Sequence, residues 1–243
     1  MIISDKLQLA QMFWLTLNLV IFFSAIPVQA NPAGHTETNP SPSTTFTIGK
    51  VSANPNKHLS DLTPMAQYLA HNMKDLGISK GKVVIATNNS EMIDLIRQGK
   101  VDLLTDTPFS AMLYTEQAPA RAIALKWKKG VPSYYSVIFA RNDSGLYSIE
   151  NLLGKRLVFE DPGSTSAFML PMSSLLNTGY PLVKLSAPDD PVPDNMIGFV
   201  FSHSEQQTSD WIYHGKADAG AISNLDWNKP DHIPIRHKRD YHI

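Results

Sequence analysis

The segment KRLVFEDPGSTSAFMLPMSSLL, residues 155–176, gives the clearest indication of the fold. Residues 155–160 have an apolar centre and predict a β-strand, and the apolar run that begins at Ala167 predicts a helix. Gly163 lies in the polar turn between them, where it permits a tight bend. A strand that leads through a turn into a helix is the repeating unit of α/β proteins, so this segment predicts that class.

The flanking sequence repeats this order of strand and helix in both directions. Apolar and β-branched runs predict strands at residues 46–51, 82–87, 101–105, 120–127, 134–141, 195–202 and 217–223. Ser, Thr and Pro favour helix N-termini, and they predict helix starts at Thr63-Pro64, Ser90, Thr107-Pro108, Ser148 and Ser204. The alternation predicts an α/β fold with a mostly parallel sheet.

One short motif occurs twice in the chain. Gly99-Lys100-Val101-Asp102 and Gly215-Lys216-Ala217-Asp218 each join a predicted helix to a predicted strand. Two copies of one supersecondary unit would place similar residues at the same junction, so the repeat favours two lobes built on one plan. We assign residues 46–134 to the first lobe and 135–243 to the second.

The N-terminus predicts export. Residues 12–25 form an apolar run, and Val28-Gln29-Ala30 resembles a signal-peptidase cleavage site. The run is short for a membrane span, which needs about 20 apolar residues. We therefore predict a cleaved signal peptide over residues 1–30, followed by a flexible leader rich in Pro, Ser and Thr over 31–45.

Composition excludes several classes of protein. The formal net charge is -1 and only 18% of residues are charged, which argues against a general nucleic-acid binder. The chain has no cysteine, so disulfides, thiolate metal sites and cysteine nucleophiles are excluded. Any anion binding must therefore come from local geometry. The spacing of His232, His237 and His242 fits no helix face, and we predict no metal site and no cofactor.

The consecutive hydroxyls of Ser164, Thr165 and Ser166 form the strongest candidate site. They lie where a helix begins, and the first turn of a helix has unpaired amides and the positive end of the helix dipole. Hydroxyl donors added to these amides would form a cradle for a tetrahedral anion. The alternative is that one residue is an ordinary helix cap and the others are solvated. No Walker loop occurs in the sequence, which argues against nucleotide hydrolysis.

Further candidates follow other predicted strands, and ligands of open α/β sheets bind beyond the carboxyl ends of strands. His203 could donate a hydrogen bond to the anion, and Thr107 begins a helix that offers free amides. Asp106 would repel a dianion, unless it meets an amine or a hydroxyl of the ligand. Three candidates are weaker. Asn54 could reach the ligand from the end of the first strand, Tyr135 could form an aromatic wall, and Asp226 could pair with a ligand ammonium.

Four segments together resemble the phosphate-, phosphite- and phosphonate-binding periplasmic proteins of ABC importers. They occur in that family's order at residues 105–113, 134–167, 201–205 and 215–223, and the resemblance covers about Phe46 to Asp226. It implies a type II periplasmic-binding-protein fold, with two α/β lobes, a hinge and a ligand cleft. It also implies that Ser164, Thr165 and Ser166 bind the anion with help from His203.

The resemblance implies a non-enzymatic, monomeric periplasmic protein that closes over an oxyanion and delivers it to an ABC permease. A sensor that serves a membrane receptor or kinase remains an alternative, and a secreted hydrolase using Ser164 and His203 is a weaker one.

The chain has Asp106-Thr107-Pro108 where the family usually has an aromatic residue, glycine and proline. Family members also usually continue beyond this length, so we expect the C-terminal part of the first lobe to be missing. The choice among phosphate, phosphite and phosphonates stays open.

Overall fold

The computed structural model describes residues 45–52 and 55–243. The predicted signal peptide, the leader up to residue 44 and Asn54 lie outside the described residues. No helix in the described part of the chain is both long and apolar enough to span a membrane.

The first lobe contains a three-stranded parallel sheet in the order β2-β1-β3. Its strands and helices are β1 (Thr45–Val51), α1 (Pro55–Asn72), β2 (Lys80–Ala86), α2 (Asn89–Arg97), β3 (Leu103–Leu104) and α3 (Pro108–Gln117). A core of Ala86, Met92, Ile93, Ile96 and Tyr114 joins α2 and α3 to this sheet.

The second lobe contains a six-stranded mixed sheet in the order β6-β7-β5-β8-β4-β9. The first four strands in this order are parallel, and β4 pairs antiparallel with both β8 and β9. Its elements are β4 (Ser136–Arg141), β5 (Arg156–Phe159), α4 (Leu170–Asn177), β6 (Leu182–Lys184), β7 (Ile197–Phe201), α5 (Glu205–Tyr213), β8 (Ala219–Ser223), α6 (Asn224–Trp227), α7 (Ile235–Lys238) and β9 (Tyr241–His242).

Strand β5 lies at the centre of the second lobe. Its apolar residues are buried on both faces, because Val158 packs into one core cluster while Leu157 and Phe159 pack into another. Burial on both faces is expected of a parallel strand with structure packed on each side of the sheet. The carboxyl end of β5 is thereby held rigidly, and the predicted anion-binding turn follows it directly.

The α/β class is confirmed, but three local predictions are wrong. Helix α1 begins at Pro55, so Thr63 and Pro64 lie inside it, where the Thr63 hydroxyl donates to the Leu59 carbonyl at 2.6 Å. Helix α2 is capped by Asn88, whose side chain accepts from the Glu91 amide, and not by Ser90. Residues 120–127 form no strand, because no backbone partner for residues 121–127 occurs within the described ranges.

Candidate functional site

Strand β5 is followed by the tight turn that carries the three predicted hydroxyls. Asp161 fixes this turn, since its carboxylate accepts a hydrogen bond from the Gly163 amide at 2.8 Å and its carbonyl accepts one from the Ser164 amide at 2.9 Å. The Ser164 hydroxyl oxygen accepts from the Ala167 amide at 3.2 Å and so caps the following helix. The single proton of this hydroxyl is directed at the Glu160 carboxyl group.

The first turn of that helix, Thr165–Met169, is a π turn. The Met169 amide donates to the Ser164 carbonyl at 3.0 Å, and the Leu170 amide donates to the Thr165 carbonyl, in each case five residues back. Pro171 has no amide hydrogen and lies in the first turn of α4. The irregular turn therefore lies at the predicted hydroxyls, and π turns are frequent at functional sites.

The hydroxyls of this turn differ in their surroundings. Ser166 is 5% exposed, and its hydroxyl has no hydrogen-bond partner among residues 45–52 and 55–243. The Thr165 hydroxyl accepts a hydrogen bond from the Phe109 amide at 2.9 Å, at the N-terminus of α3. Thr165 therefore keeps its own proton available for an acceptor such as an anion oxygen.

Two further hydrogen bonds join the lobes at the same place. The Thr107 hydroxyl donates to the Gly163 carbonyl at 2.6 Å, and the Ser110 hydroxyl donates to the same carbonyl at 3.1 Å. We call these two bonds, together with the Phe109–Thr165 bond, the inter-lobe clasp. Sequence reasoning proposed Thr107 as a ligand contact, whereas in the structure its hydroxyl proton is given to the opposite lobe.

A buried network in the first lobe supports the clasp. Tyr114 is 1% exposed, and its hydroxyl shares one proton between Asn89 Oδ1 at 2.8 Å and Asp106 Oδ2 at 3.0 Å. The Asn89 amide donates to the Ser110 hydroxyl at 3.1 Å. Burial raises the pKa of Tyr114 far above its usual value, and the nearby Asp106 carboxylate raises it further. Tyr114 is therefore a permanent donor in this network.

Asp106 faces the interior of this network. Its side chain is 6% exposed, and the Lys50 ammonium lies 3.2 Å from its Oδ1. The Asp106 Oδ1 atom also accepts from the Thr107 amide at 2.8 Å. From the sequence, Asp106 was expected to face an amine or a hydroxyl of the ligand. In the structure it contacts the Lys50 ammonium and the Tyr114 hydroxyl of the protein itself.

His203 lies at the end of β7 with an unusual backbone. Its φ angle is 63°, in the left-handed region that is uncommon for residues other than glycine. The His203 amide donates to the Glu160 carbonyl at 2.7 Å, and its Nδ1 atom lies 3.9 Å from the Asp161 carboxylate. The imidazole is 63% exposed beside the anion turn, so it is accessible to a ligand there.

Glu160 follows β5 directly, and its carboxyl group is strongly perturbed. Burial raises the pKa of Glu160 to about 8, helped by the negative charges of Glu205 and Asp161 and opposed by a hydrogen bond from Ser164 and by the charge of Lys128. A neutral carboxylic acid beside the hydroxyl turn adds no repulsion toward an incoming anion. Sequence reasoning included this residue in the strand and missed the effect of its surroundings.

Asp226 lies at the end of β8 inside a cluster of cations. Its side chain is 4% exposed, with the Lys128 ammonium at 2.5 Å, the Lys229 ammonium at 2.9 Å and His232 Nδ1 at 3.3 Å from its oxygens. The Ser223 hydroxyl donates to the same carboxylate at 2.6 Å. Burial alone would raise the pKa of Asp226, but Lys128, Ser223 and His232 outweigh it and lower the pKa.

Tyr135 precedes β4, and its side chain is largely exposed. The residue is 63% exposed, and its backbone exchanges hydrogen bonds of 3.0 Å with Asn224. Its role as an aromatic wall therefore stays a prediction. The predicted contact of Asn54 concerns a residue outside the described ranges.

A possible set of metal ligands occurs among the described residues. Oxygen or nitrogen atoms of Glu205, Asp226 and His232 lie within 4.8 Å of one another. The Lys128 and Lys229 ammoniums, however, already lie against the Asp226 carboxylate. Because these cations neutralise the carboxylate, we treat the group as an ion-pair cluster and assign it no metal.

A groove of about 570 Å³ lies between α1 and the amino-terminal end of β2. Among its lining residues are His71, Lys74, Lys80 and Lys82. It opens at the amino-terminal edge of the parallel strands, opposite the edge that carries the hydroxyl turn. Ligands of such sheets bind at the carboxyl edge, so the hydroxyl turn remains the better candidate.

The structure thus brings Ser164, Thr165, Ser166, Thr107 and His203 to one place at the carboxyl edges of the two sheets. Sequence reasoning missed Asn89, Ser110 and Lys128. The polar run at residues 87–90 directly after β2 could have indicated Asn89, by the same rule that selected the other strand ends. No local signal indicated Lys128, whose partner Asp226 is 98 positions away along the chain.

The sequence matches, over residues 49–236, the family described as ABC transporter, phosphonate, periplasmic substrate-binding protein. It is 27% identical over 175 residues to the phosphate-import protein PhnD of Mycolicibacterium smegmatis, covering 70% of this chain and 53% of that protein. The chain thus spans about half the length of this curated relative.

Solved structures of similar fold include XAC2383 from Xanthomonas citri bound to chloride ion, with a TM-score of 0.79, 29% identity and coverage of 83% of this chain and 72% of that one. The same protein bound to ATP gives a TM-score of 0.77 at 28% identity with the same coverage. PhnD1 from Prochlorococcus marinus in complex with methylphosphonate gives 0.58 at 18% identity, covering 82% and 71% of the two chains. These likenesses confirm the predicted type II periplasmic-binding-protein fold.

Proposed function

Because the chain belongs to the family of phosphonate-binding periplasmic substrate-binding proteins of ABC transporters, we propose that it captures a phosphonate, phosphate or phosphite anion and delivers it to a membrane permease. The family supports a periplasmic solute-binding role, and we expect no catalytic turnover. Two relatives support an anionic ligand, since PhnD of Mycolicibacterium smegmatis is a phosphate-import protein and XAC2383 is seen with chloride and with ATP.

The observation that carries the proposal is the meeting of two helix N-termini at one point. The Thr165 hydroxyl accepts from the Phe109 amide, so the start of the Thr165–Met169 turn faces the start of α3. Each N-terminus brings the positive end of a helix dipole. The Phe109 and Ser110 amides of α3 already donate to Thr165 and Thr107, so an oxyanion placed there would take its hydrogen bonds from the hydroxyl turn and a favourable dipole from α3.

The proposed mechanism is capture by closure of the cleft. Thr165 and Ser166 donate hydrogen bonds to the anion oxygens, and Ser164 turns its proton from Glu160 to the anion. The exposed imidazole of His203 adds a donor from the second lobe. Charge-assisted hydrogen bonds contribute about 1.5–3 kcal/mol each, so three or four suffice for a micromolar Kd, which requires roughly 8 kcal/mol. Hinge closure then brings α3 over the bound anion.

The geometry gives the hydrolase alternative no support. A serine nucleophile needs a base within hydrogen-bond reach. In the described part of the chain, the Ser164 hydroxyl caps its own helix, and no hydrogen bond joins it to His203. The His203 imidazole lies instead near Asp161, at 3.9 Å.

The test is isothermal titration calorimetry of wild-type protein and a variant that combines Ser164→Ala, Thr165→Ala and Ser166→Ala. Phosphate, phosphite, methylphosphonate and sulfate are titrated into each protein. We expect wild type to bind at least one phosphorus oxyanion, and the triple variant to lose about 100-fold or more of that affinity, since charge-assisted hydrogen bonds are lost.

Ser174→Ala provides the matched control, because Ser174 is an exposed serine on α4, the helix that follows the π turn. It should bind the anion as wild type does. Circular dichroism establishes that the triple variant is folded. Unchanged oxyanion binding by the folded triple variant would refute the proposed site, and no binding of any phosphorus oxyanion by wild type would refute the proposed function.

A further inference from the structure

The cation cluster around Asp226 bears on which anions the proposed site accepts. A buried carboxylate near an anion site could serve to bind a ligand that carries both a phosphonate and an ammonium group. In this chain the protein supplies the ammonium groups itself, from Lys128 at 2.5 Å and Lys229 at 2.9 Å. Asp226 is only 4% exposed, so a ligand ammonium could reach it only by displacing a lysine.

The cluster lies beside the hydroxyl turn. Asp226 follows β8, which pairs directly with β5, and the hydroxyl turn follows β5 at the same carboxyl edge of the sheet. Strand β8 also contacts the Thr165–Met169 turn directly. Substituents on a bound phosphonate would therefore come close to these lysines.

Three lysine ammoniums surround the Asp226 carboxylate. The Lys129 ammonium lies 3.8 Å from Asp226, which makes three lysines around one buried carboxylate. The other acidic groups are Glu205, whose carboxylate lies 3.7 Å from His232 Nδ1, Asp231, whose carboxylate lies 3.7 Å from His232 Nε2, and Glu160, which is held largely neutral. The three lysine side chains remain 26–43% exposed, so the cluster is open to solvent on their side.

Resting on the proposed function, we propose that the site selects phosphorus oxyanions that carry no ammonium group, because Lys128 occupies the position on Asp226 that a ligand ammonium would need. Specificity arises in this way when an unfavourable contact is built against the competing ligand. The lysines repel a second cation, and they attract a ligand whose substituent is neutral or negative.

The test compares two ligands of matched size by calorimetry. Propylphosphonate and aminoethylphosphonate differ in having a terminal methyl or a terminal ammonium group. We expect wild type to bind propylphosphonate at least about 10-fold more tightly than aminoethylphosphonate, because like charges placed together are strongly unfavourable. The variant Lys128→Met should reduce this ratio by about 10-fold, since it frees one side of the Asp226 carboxylate.

Lys126→Met is the matched control, because Lys126 is an exposed lysine of the same segment and is not part of the cluster. It should keep the wild-type ratio, and Lys128→Arg should also keep it since the charge is retained. The wild-type ratio tests the inference even if Lys128→Met does not fold.

Each unfavourable result has a separate meaning. Equal or tighter binding of aminoethylphosphonate by wild type would overturn the inference while leaving the proposed function intact, as would a folded Lys128→Met variant with an unchanged ratio. Binding of methylphosphonate with rejection of both longer ligands would show that size decides, and would also overturn it. Failure of wild type to bind any phosphorus oxyanion would refute the proposed function and the inference with it.

Discussion

Glu160 lies one residue beyond β5, where four neighbouring side chains act on its carboxyl group. Burial and the charges of Glu205 and Asp161 raise its pKa from 4.5 to about 8, against the opposing effects of Ser164 and Lys128. The folded protein therefore holds a proton on Glu160 that the unfolded chain releases near pH 4.5. The free energy of unfolding must then decrease as pH rises through the interval from 4.5 to about 8.

We predict that replacing Glu160 by its neutral isostere changes how the Tm depends on pH. Glu160→Gln should raise the Tm on the order of 5 °C above that of wild type at alkaline pH, because it removes the cost of an ionised carboxylate in this site. The difference should shrink as pH falls toward 4.5, where the folded wild type is protonated. Thermal unfolding followed by circular dichroism across this interval measures both. A difference that is constant with pH would contradict the raised pKa.

At the scale of single elements, the repeated Gly-Lys-x-Asp motif has the same structure in both lobes. Gly99 and Gly215 end their helices with φ angles of 63° and 69°. The following lysine amides donate back to helix carbonyls, from Lys100 to Leu95 at 2.9 Å and from Lys216 to Trp211 at 2.7 Å. This is the Schellman arrangement, in which a left-handed glycine ends the helix.

The aspartate of each motif joins two strands. The Asp102 carboxylate accepts from the Thr47 amide at 2.7 Å while its own amide donates to the Thr47 carbonyl at 3.0 Å. Asp218 and Arg156 exchange the same two bonds at 2.7 Å and 2.9 Å. The equivalent bonds support the two-lobe plan that the repeat indicated in the sequence.

We predict that the motif contributes to stability and not to ligand binding. Asp218→Ala leaves the Arg156 amide without its acceptor, which should cost about 1–3 kcal/mol and lower the Tm by roughly 2–8 °C. Asp218→Asn keeps an oxygen acceptor and should lose less. Asp189→Ala, at an exposed aspartate of the same lobe, should unfold as wild type does. Weaker anion binding by a folded Asp218→Ala variant would contradict this assignment.

Local patterns predicted most elements, because their causes lie within a few residues. Thr107 caps α3 by accepting from the Ser110 amide, and Ser204 caps α5 by accepting from the Gln207 amide. The errors arose where a competing residue lay nearby. Asn88 caps α2 in place of Ser90, and Pro64 lies inside α1, whose first residue is another proline, Pro55.

The candidate site was only partly predictable, for a different physical reason. The hydroxyls of Ser164, Thr165 and Ser166 could be found because a helix start is a local signal. The surroundings of Asp226 and Asp106 could not, because their partners Lys128 and Lys50 are distant in sequence and meet them only in the folded chain. Residues 120–127 have the composition of a strand, but strand formation also needs a neighbouring strand, which the sequence pattern does not reveal.

At the scale of the whole molecule, the clasp determines how the lobes meet. The Gly163 carbonyl accepts from both Thr107 and Ser110, which uses both of its acceptor positions. Gly163 suits this close approach, since a Cβ atom built there would lie 3.0 Å from the Ser110 hydroxyl oxygen. All three clasp bonds join protein atoms of the two lobes, so they hold the lobes together without needing an anion.

We therefore predict that a clasp residue that does not touch the ligand still affects the affinity for the oxyanion. Ser110→Ala removes one clasp bond, which should destabilise the closed form by about 1 kcal/mol and weaken oxyanion binding about 5-fold. Thr115→Ala is the control, because Thr115 is an exposed residue of the same helix whose hydroxyl donates to the Met112 carbonyl and not across the lobes. Calorimetry measures the affinity, and small-angle scattering measures the radius of gyration with and without anion. The Ser110→Ala protein should be more open without anion and should close fully when saturated with it. Unchanged affinity and unchanged scattering in this variant would show that the clasp does not hold the lobes together.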